Sequence, residues 1–111
     1  MQREEVSERV RLVSLSGFLD AAAVGRLEAG FAAQVAAGDK SVVVDLGGVE
    51  FCGSLGIRML LASARVAERR GQRLVLAAAR PEVRQVFDTV ALGTLVPLAD
   101  TVEDAKALLG A

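Results

Sequence analysis

Side chains able to do chemistry are few in this sequence, and they gather in one stretch, Val44-Asp45-Leu46-Gly47-Gly48-Val49-Glu50-Phe51-Cys52-Gly53-Ser54-Leu55-Gly56-Ile57. The stretch holds the only cysteine, and histidine is absent from the whole chain. Cys52 has no second thiol to pair with. Flanked by Phe51 and a glycine at the end of an apolar run, it reads as a small buried hydrophobe rather than a nucleophile. Asp45 is expected to accept hydrogen bonds from nearby loop N–H groups, not a phosphoryl group. Gly47-Gly48 and Gly53-x-x-Gly56 match neither a Walker loop nor a dinucleotide fingerprint. With no cluster of titratable groups, the sequence reads as a non-enzyme without a cofactor or metal site.

Ser54 is the residue with two readings. Helical spacing starts just after it, so its hydroxyl could accept from the first-turn N–H groups as an N-cap. The same unpaired N–H groups and the positive end of the helix dipole would also stabilise a phosphoryl group carried there.

The elements that must position Ser54 follow from periodicity. Val42-Val43-Val44-Asp45-Leu46 reads as a strand buried on both faces, residues 47–53 as a loop, and Ser54 as the helix start. Upstream, Val10, Leu12, Val13 and Leu15 mark a strand, and Asp20 caps a helix carrying Val24, Leu27, Phe31 and Val35 and ended by Gly38. Downstream, Gly71 closes the Ser54 helix and residues 73–79 read as a buried strand. Pro81 opens a helix that buries Val83, Val86, Phe87 and Val90. Gly93 stops it, Leu95-Val96-Pro97-Leu98 reads as a short strand, and Asp100 with Glu103 resembles a capping box for a last helix docked by Val102, Ala105 and Leu109. Alternating strands and helices argue an α/β domain with parallel pairings made by right-handed crossovers.

The Ser54 helix carries Ile57, Leu60, Leu61, Ala64 and Ala67 on one face, the side expected to lie on the sheet. A second apolar stripe, Leu55, Met59, Ala62 and Val66, is bordered by Arg58, Arg65 and Arg69. A neighbouring helix of the same domain covers that stripe, or a partner does.

Composition narrows the functions. The 111 residues suit one domain over 1–111, and 52% hydrophobic residues supply its core. A formal net charge of -1, with no Trp or Tyr, gives neither a basic footprint nor stacking platforms for nucleic acid. The charged start Met1-Gln2-Arg3-Glu4-Glu5 precedes no signal-like apolar region, and no run is long enough to span a membrane, so a cytoplasmic protein is expected.

Two segments resemble the STAS domains, and among them the bacterial anti-sigma-factor antagonists. The Val44–Ile57 stretch is similar to the family's buried strand, Val-x-Phe step, Asp-Ser-Ser-Gly-Leu-like loop and helix, and Leu15-Ser16-Gly17-Phe18-Leu19-Asp20 resembles its Ser-Gly-Glu-Leu-Asp step. The resemblance spans nearly the whole chain. It implies a small mixed, largely parallel sheet of four to five strands, with about four helices crowding one face and a short extra strand within residues 1–8. It also implies an antagonist that binds an anti-sigma factor while unphosphorylated, thereby releasing a sigma factor, and that is switched off by phosphorylation on Ser54. The partners implied are that anti-sigma factor, itself a serine kinase, and a phosphatase; a weak homodimer is compatible with the sequence. Asp20, Gly53, Ser54, Leu55, Arg58, Met59, Ala62 and Val66 would form the partner surface. Two positions depart from the pattern: Gly53 stands where the family has Asp before the phosphorylated serine, and Leu55 replaces a second serine. They favour an alternative, a non-switching STAS subunit docked on a larger assembly such as a stress-signalling scaffold or lipid-transport complex.

Overall fold

Val42, Val43, Val44 and Leu46 are all fully buried, yet they do not share one core. Val42, Val44 and Leu46 point into a large apolar layer, while Val43 points through the sheet into a smaller one. This is the alternation expected of a strand covered on both faces. The computed structural model describes residues 1–111 and builds a five-stranded sheet around that strand. Its elements are β1 (Gln2–Glu5), β2 (Val10–Leu19), α1 (Ala21–Ala36), β3 (Ser41–Cys52), α2 (Ser54–Arg69), β4 (Leu74–Ala77), α3 (Pro81–Thr89), a 3-10 turn (Leu92–Thr94), β5 (Leu98–Ala99) and α4 (Val102–Leu108). Spatial order follows chain order, with β1 antiparallel to β2 and every other pair parallel. No helix is long and apolar enough to cross a membrane.

Because successive parallel strands are always added on the same side, crossovers of one hand put their helices on one face. Accordingly α1, α2 and α3 bury Phe31, Leu60 and Phe87 in a common layer with Val44 and Leu76. The last helix is no crossover and is free of that constraint. α4 folds onto the opposite face, where Ala105 meets Val43, Val75 and Ala77, so the helices do not all crowd one face.

Several boundaries differ from the sequence expectation. The short first strand is present as β1. No loop separates Leu46 from Ser54: β3 continues to Cys52 beside β2, with register irregularities between Ser14 and Ser16 and between Gly17 and Phe18. Gly48 permits this, since a Cβ there would lie 3.0 Å from Ser16 Cβ and 3.3 Å from the Leu15 carbonyl oxygen. β4 stops at Ala77, before the left-handed Ala78 (φ 62°). The last strand is Leu98–Ala99, after Pro97 rather than across it, as expected for a residue with no N–H to donate. Thr101, not Asp100, caps α4, its hydroxyl accepting from Asp104 N at 3.0 Å. Val86 and Val90 stay partly exposed, at 39% and 51%, leaving Val83 and Phe87 to anchor α3.

Arg11 is a buried cation in an apolar strand, 6% exposed, and it is fully engaged. Its guanidinium donates to the carbonyls of Gln34 and Ala37 at 2.7 Å each, satisfying the C-terminal end of α1, and to Glu5 at 2.6 Å. Lys40 also reaches Glu5, at 2.8 Å. Hydrogen bonds from Arg11 and then Lys40 hold the Glu5 carboxyl well below its ordinary value of 4.5, at about 2. A depressed carboxylate stabilises the fold above its unfolded pKa, and the contribution disappears as pH falls from 4.5 to about 2. Glu5→Gln should therefore lower the melting temperature near neutral pH, with the gap to wild type closing as the pH approaches about 2 in circular dichroism melts.

Candidate functional site

The junction of β3 and α2 is held against the end of β2. Gly53 N donates to the Leu19 carbonyl oxygen at 3.2 Å. One turn on, Gly56 packs so closely that a Cβ there would meet Cys52 Sγ at 2.9 Å and both Leu19 Cβ and the Leu19 carbonyl oxygen at 3.0 Å. Only a glycine allows this approach without displacing backbone. Cys52 is buried, and burial pushes its thiol up to about 11, so it stays protonated and packs as a hydrophobe. Asp45 Oδ1 accepts from Gly47 N at 2.9 Å.

Ser54 is not the N-cap. Gly53 takes that position in extended conformation with no side chain to offer, and Ser54 is the first helical residue, solvent-exposed. Its hydroxyl is therefore free rather than engaged in capping. The first N–H groups of an α-helix have no intrahelical partner, so Ser54 lies at the positive end of a 16-residue helix whose N-terminus no side chain neutralises.

Around this hydroxyl lies an open depression of about 270 Å³, lined by Leu19, Asp20, Ala21, Phe51, Gly53, Ser54 and Leu55. Asp20 contributes one rim, its Oδ1 accepting from Ala23 N at 2.9 Å as the cap of α1. Phe51 stacks on Phe18 across the β2–β3 pair, with ring centroids 6.2 Å apart, and both rings are about half exposed. The structure thus brings Asp20, Gly53, Ser54 and Leu55 together and adds Phe18, which sequence reasoning had not placed at the site. Its signal was the register: Phe18 and Phe51 sit opposite each other on parallel neighbours, a relation invisible until the strands are paired. A Cβ at Gly53 would stand 3.2 Å from the Phe51 ring, so a longer residue there must push that exposed ring aside.

The second apolar stripe of α2 divides. Met59 is 2% exposed within the main core, Val66 is half-buried, and Leu55 and Ala62 face solvent. Met59 is therefore not a partner contact. The buried arc, which includes Gly56, Met59, Leu60, Ser63, Ala64 and Ala67, is rotated from the expected face because α2 packs on α1 as well as on the sheet. Ile57 and Leu61, expected on that face with Leu60, Ala64 and Ala67, lie half-buried at its edge. Arg58 is exposed on the outer side, one turn beyond Ser54.

A family model described as "Mlab, STAS domain" matches residues 2–97. With this sheet order and this strand-to-helix junction, the chain belongs to the STAS domain family. It is 35% identical over 96 residues to BtrV of Bordetella bronchiseptica, to which the role of anti-sigma factor antagonist is attributed, covering 86% of this chain and 83% of that one. Among solved structures, an anti-sigma factor antagonist from Mycobacterium paratuberculosis superposes with a TM-score of 0.85 at 28% identity, covering 99% of this chain and 96% of the other. The antagonist SpoIIAA in its unphosphorylated form gives a TM-score of 0.78 at 26% identity, over 99% and 96% of the two chains. Bacillus SpoIIAA in its phosphorylated form gives 0.69 at 27% identity, over 94% of each.

Three substitutions separate the structural roles. Gly56→Ala should destabilise the protein by about 1–3 kcal/mol in urea titration, because its methyl group meets Leu19 backbone. Ser54→Ala should change stability by less than about 0.5 kcal/mol, since no cap bond is lost. Met59→Asp, which buries an unpaired carboxylate, should unfold the protein or lower its melting temperature sharply.

Proposed function

We propose that the protein is an anti-sigma factor antagonist whose binding face is the rim around Ser54, and that phosphorylation of Ser54 switches it off. The observation that carries the proposal is the free, exposed Ser54 hydroxyl at the uncapped start of α2, set among Phe18, Phe51 and Leu55. Unphosphorylated, this surface offers apolar area with one small hydroxyl and the Asp20 carboxylate that caps α1, which an anti-sigma factor covers while it releases its sigma factor. The anti-sigma factor, acting as a kinase, transfers the γ-phosphoryl group of ATP to Ser54 Oγ; the hydroxyl proton is lost and ADP departs. A phosphatase then hydrolyses the ester to the serine and orthophosphate. This cycle belongs in the cytoplasm.

The phosphoryl group adds a charge of about −1.5 to −2 beside the Asp20 carboxylate and in an otherwise apolar rim. Desolvating that dianion in the complex is costly, and it repels acidic groups of the partner. Its helix-end position makes the modified free protein tolerable, because the dipole of α2 favours a negative charge there. The switch therefore acts on binding rather than on folding.

Calorimetric titration with the anti-sigma factor tests the reading. Ser54→Ala should bind like wild type in the absence of ATP and stay bound when ATP is added, whereas Ser54→Glu should bind more weakly by at least about tenfold, or 1.4 kcal/mol. Gly53 and Leu55 favour the rival reading, a STAS subunit held permanently in a larger assembly. Equal binding by Ser54→Glu and wild type would favour that subunit and remove the switch.

A further inference from the structure

The outer side of α2 carries a feature that the Ser54 switch does not use. At roughly 100° per residue, Arg58, Arg65 and Arg69 fall within about 40° of one another, opposite the arc that α2 buries. All three are exposed, and none takes part in an ion pair or a side-chain hydrogen bond. Arg65 and Arg69 stand at i and i+4, a like-charge spacing that weakens a helix. Counting its cap residue, α2 bears Arg58, Arg65, Arg69 and Arg70 against the single acid Glu68, in a chain whose net charge is -1. Positive charge is thus concentrated on one ridge of an otherwise slightly acidic protein. The ridge begins at Arg58, one turn from Ser54, and runs away from the Phe18–Phe51 pair for roughly 16 Å at 1.5 Å per residue.

We infer that the anti-sigma factor, on the antagonist reading above, presents an acidic helix or strand along this ridge, next to the apolar pocket that receives Phe51 and Leu55. Charge complementarity commits the occupant. A row of three unpaired guanidiniums of that length takes carboxylates in bidentate pairs and rejects a basic surface. The two ends of the interface then have separate tasks. The apolar end, around Ser54, is the part that phosphorylation disrupts. The arginine ridge steers encounter and selects which anti-sigma factor is bound.

The test titrates each purified anti-sigma factor of the source organism with wild type, Arg65→Glu/Arg69→Glu and the neutral Arg65→Gln/Arg69→Gln, at about 0.05 and about 0.5 M salt. Circular dichroism verifies that each variant is folded. The inference expects wild-type affinity to fall at least about tenfold at high salt, the glutamine pair to lose most of that salt dependence, and the glutamate pair to bind at least about 100-fold more weakly at low salt. Wild type binding with little salt dependence, and both variants within about twofold of it, overturns the ridge while leaving the Ser54 reading intact. Failure of every anti-sigma factor to bind wild type overturns the antagonist reading and the ridge together.

Discussion

The contact of Gly56 with Leu19 is the constraint on which the site depends. Leu19 ends β2, its carbonyl accepts from Gly53 N at 3.2 Å, and the space where a Gly56 side chain would stand is filled by its backbone and by Cys52 Sγ. Those contacts fix where β3 stops and α2 starts. With the helix start pinned on its inner side, Ser54 and Leu55 must project outward, and Asp20, which follows Leu19 directly, becomes their neighbour across the depression. An exposed serine with an unengaged hydroxyl is thus the product of a tightly packed glycine behind it.

Beyond the junction, α2 is held from two directions. The sheet receives Leu60, Ala64 and Ala67, while α1 widens the buried arc to include Met59. α1 is itself tied down at both ends, by Asp20 at its start and by the Arg11 guanidinium on its last carbonyls. Residues far from Ser54 in sequence therefore set the plane on which it is displayed. The face left over on α2 carries Arg58, Arg65 and Arg69 along its middle, with Leu55, Ala62 and Glu68 beside them. A platform held in this way suits the proposed switch, which would change charge at one side chain rather than shape.

The central strand, the helix spacing and the Ser54 position were legible in the sequence because each is a local pattern: a β-branched apolar run, periodicity near 3.6 and glycine punctuation. Asp20 as the cap of α1 and Cys52 as a buried thiol were legible for the same reason. What the sequence hid depends on neighbours. Glycines at 47 and 48 signal a loop in isolation, but here both lie within β3 and Gly48 lets it pass close to Ser16 while still paired. Ser54 looked like a cap because serine prefers that position, whereas the extended residue proved to be Gly53, and one residue of offset frees the hydroxyl. Met59 could be placed inside only once α1 was known to lie beside it. Arg11, a charge within Val10-Arg11-Leu12-Val13, gains its meaning from carbonyls that are 23 and 26 residues away.

The central claim is that chemistry is done to this protein at one hydroxyl, and mass spectrometry after incubation with its anti-sigma factor and ATP tests it most directly. The account predicts a single added phosphoryl group per chain, located on Ser54 by peptide fragmentation, absent from Ser54→Ala, and accompanied by release of the anti-sigma factor. Phosphate on another residue, or its incorporation into Ser54→Ala as readily as into wild type, would contradict it.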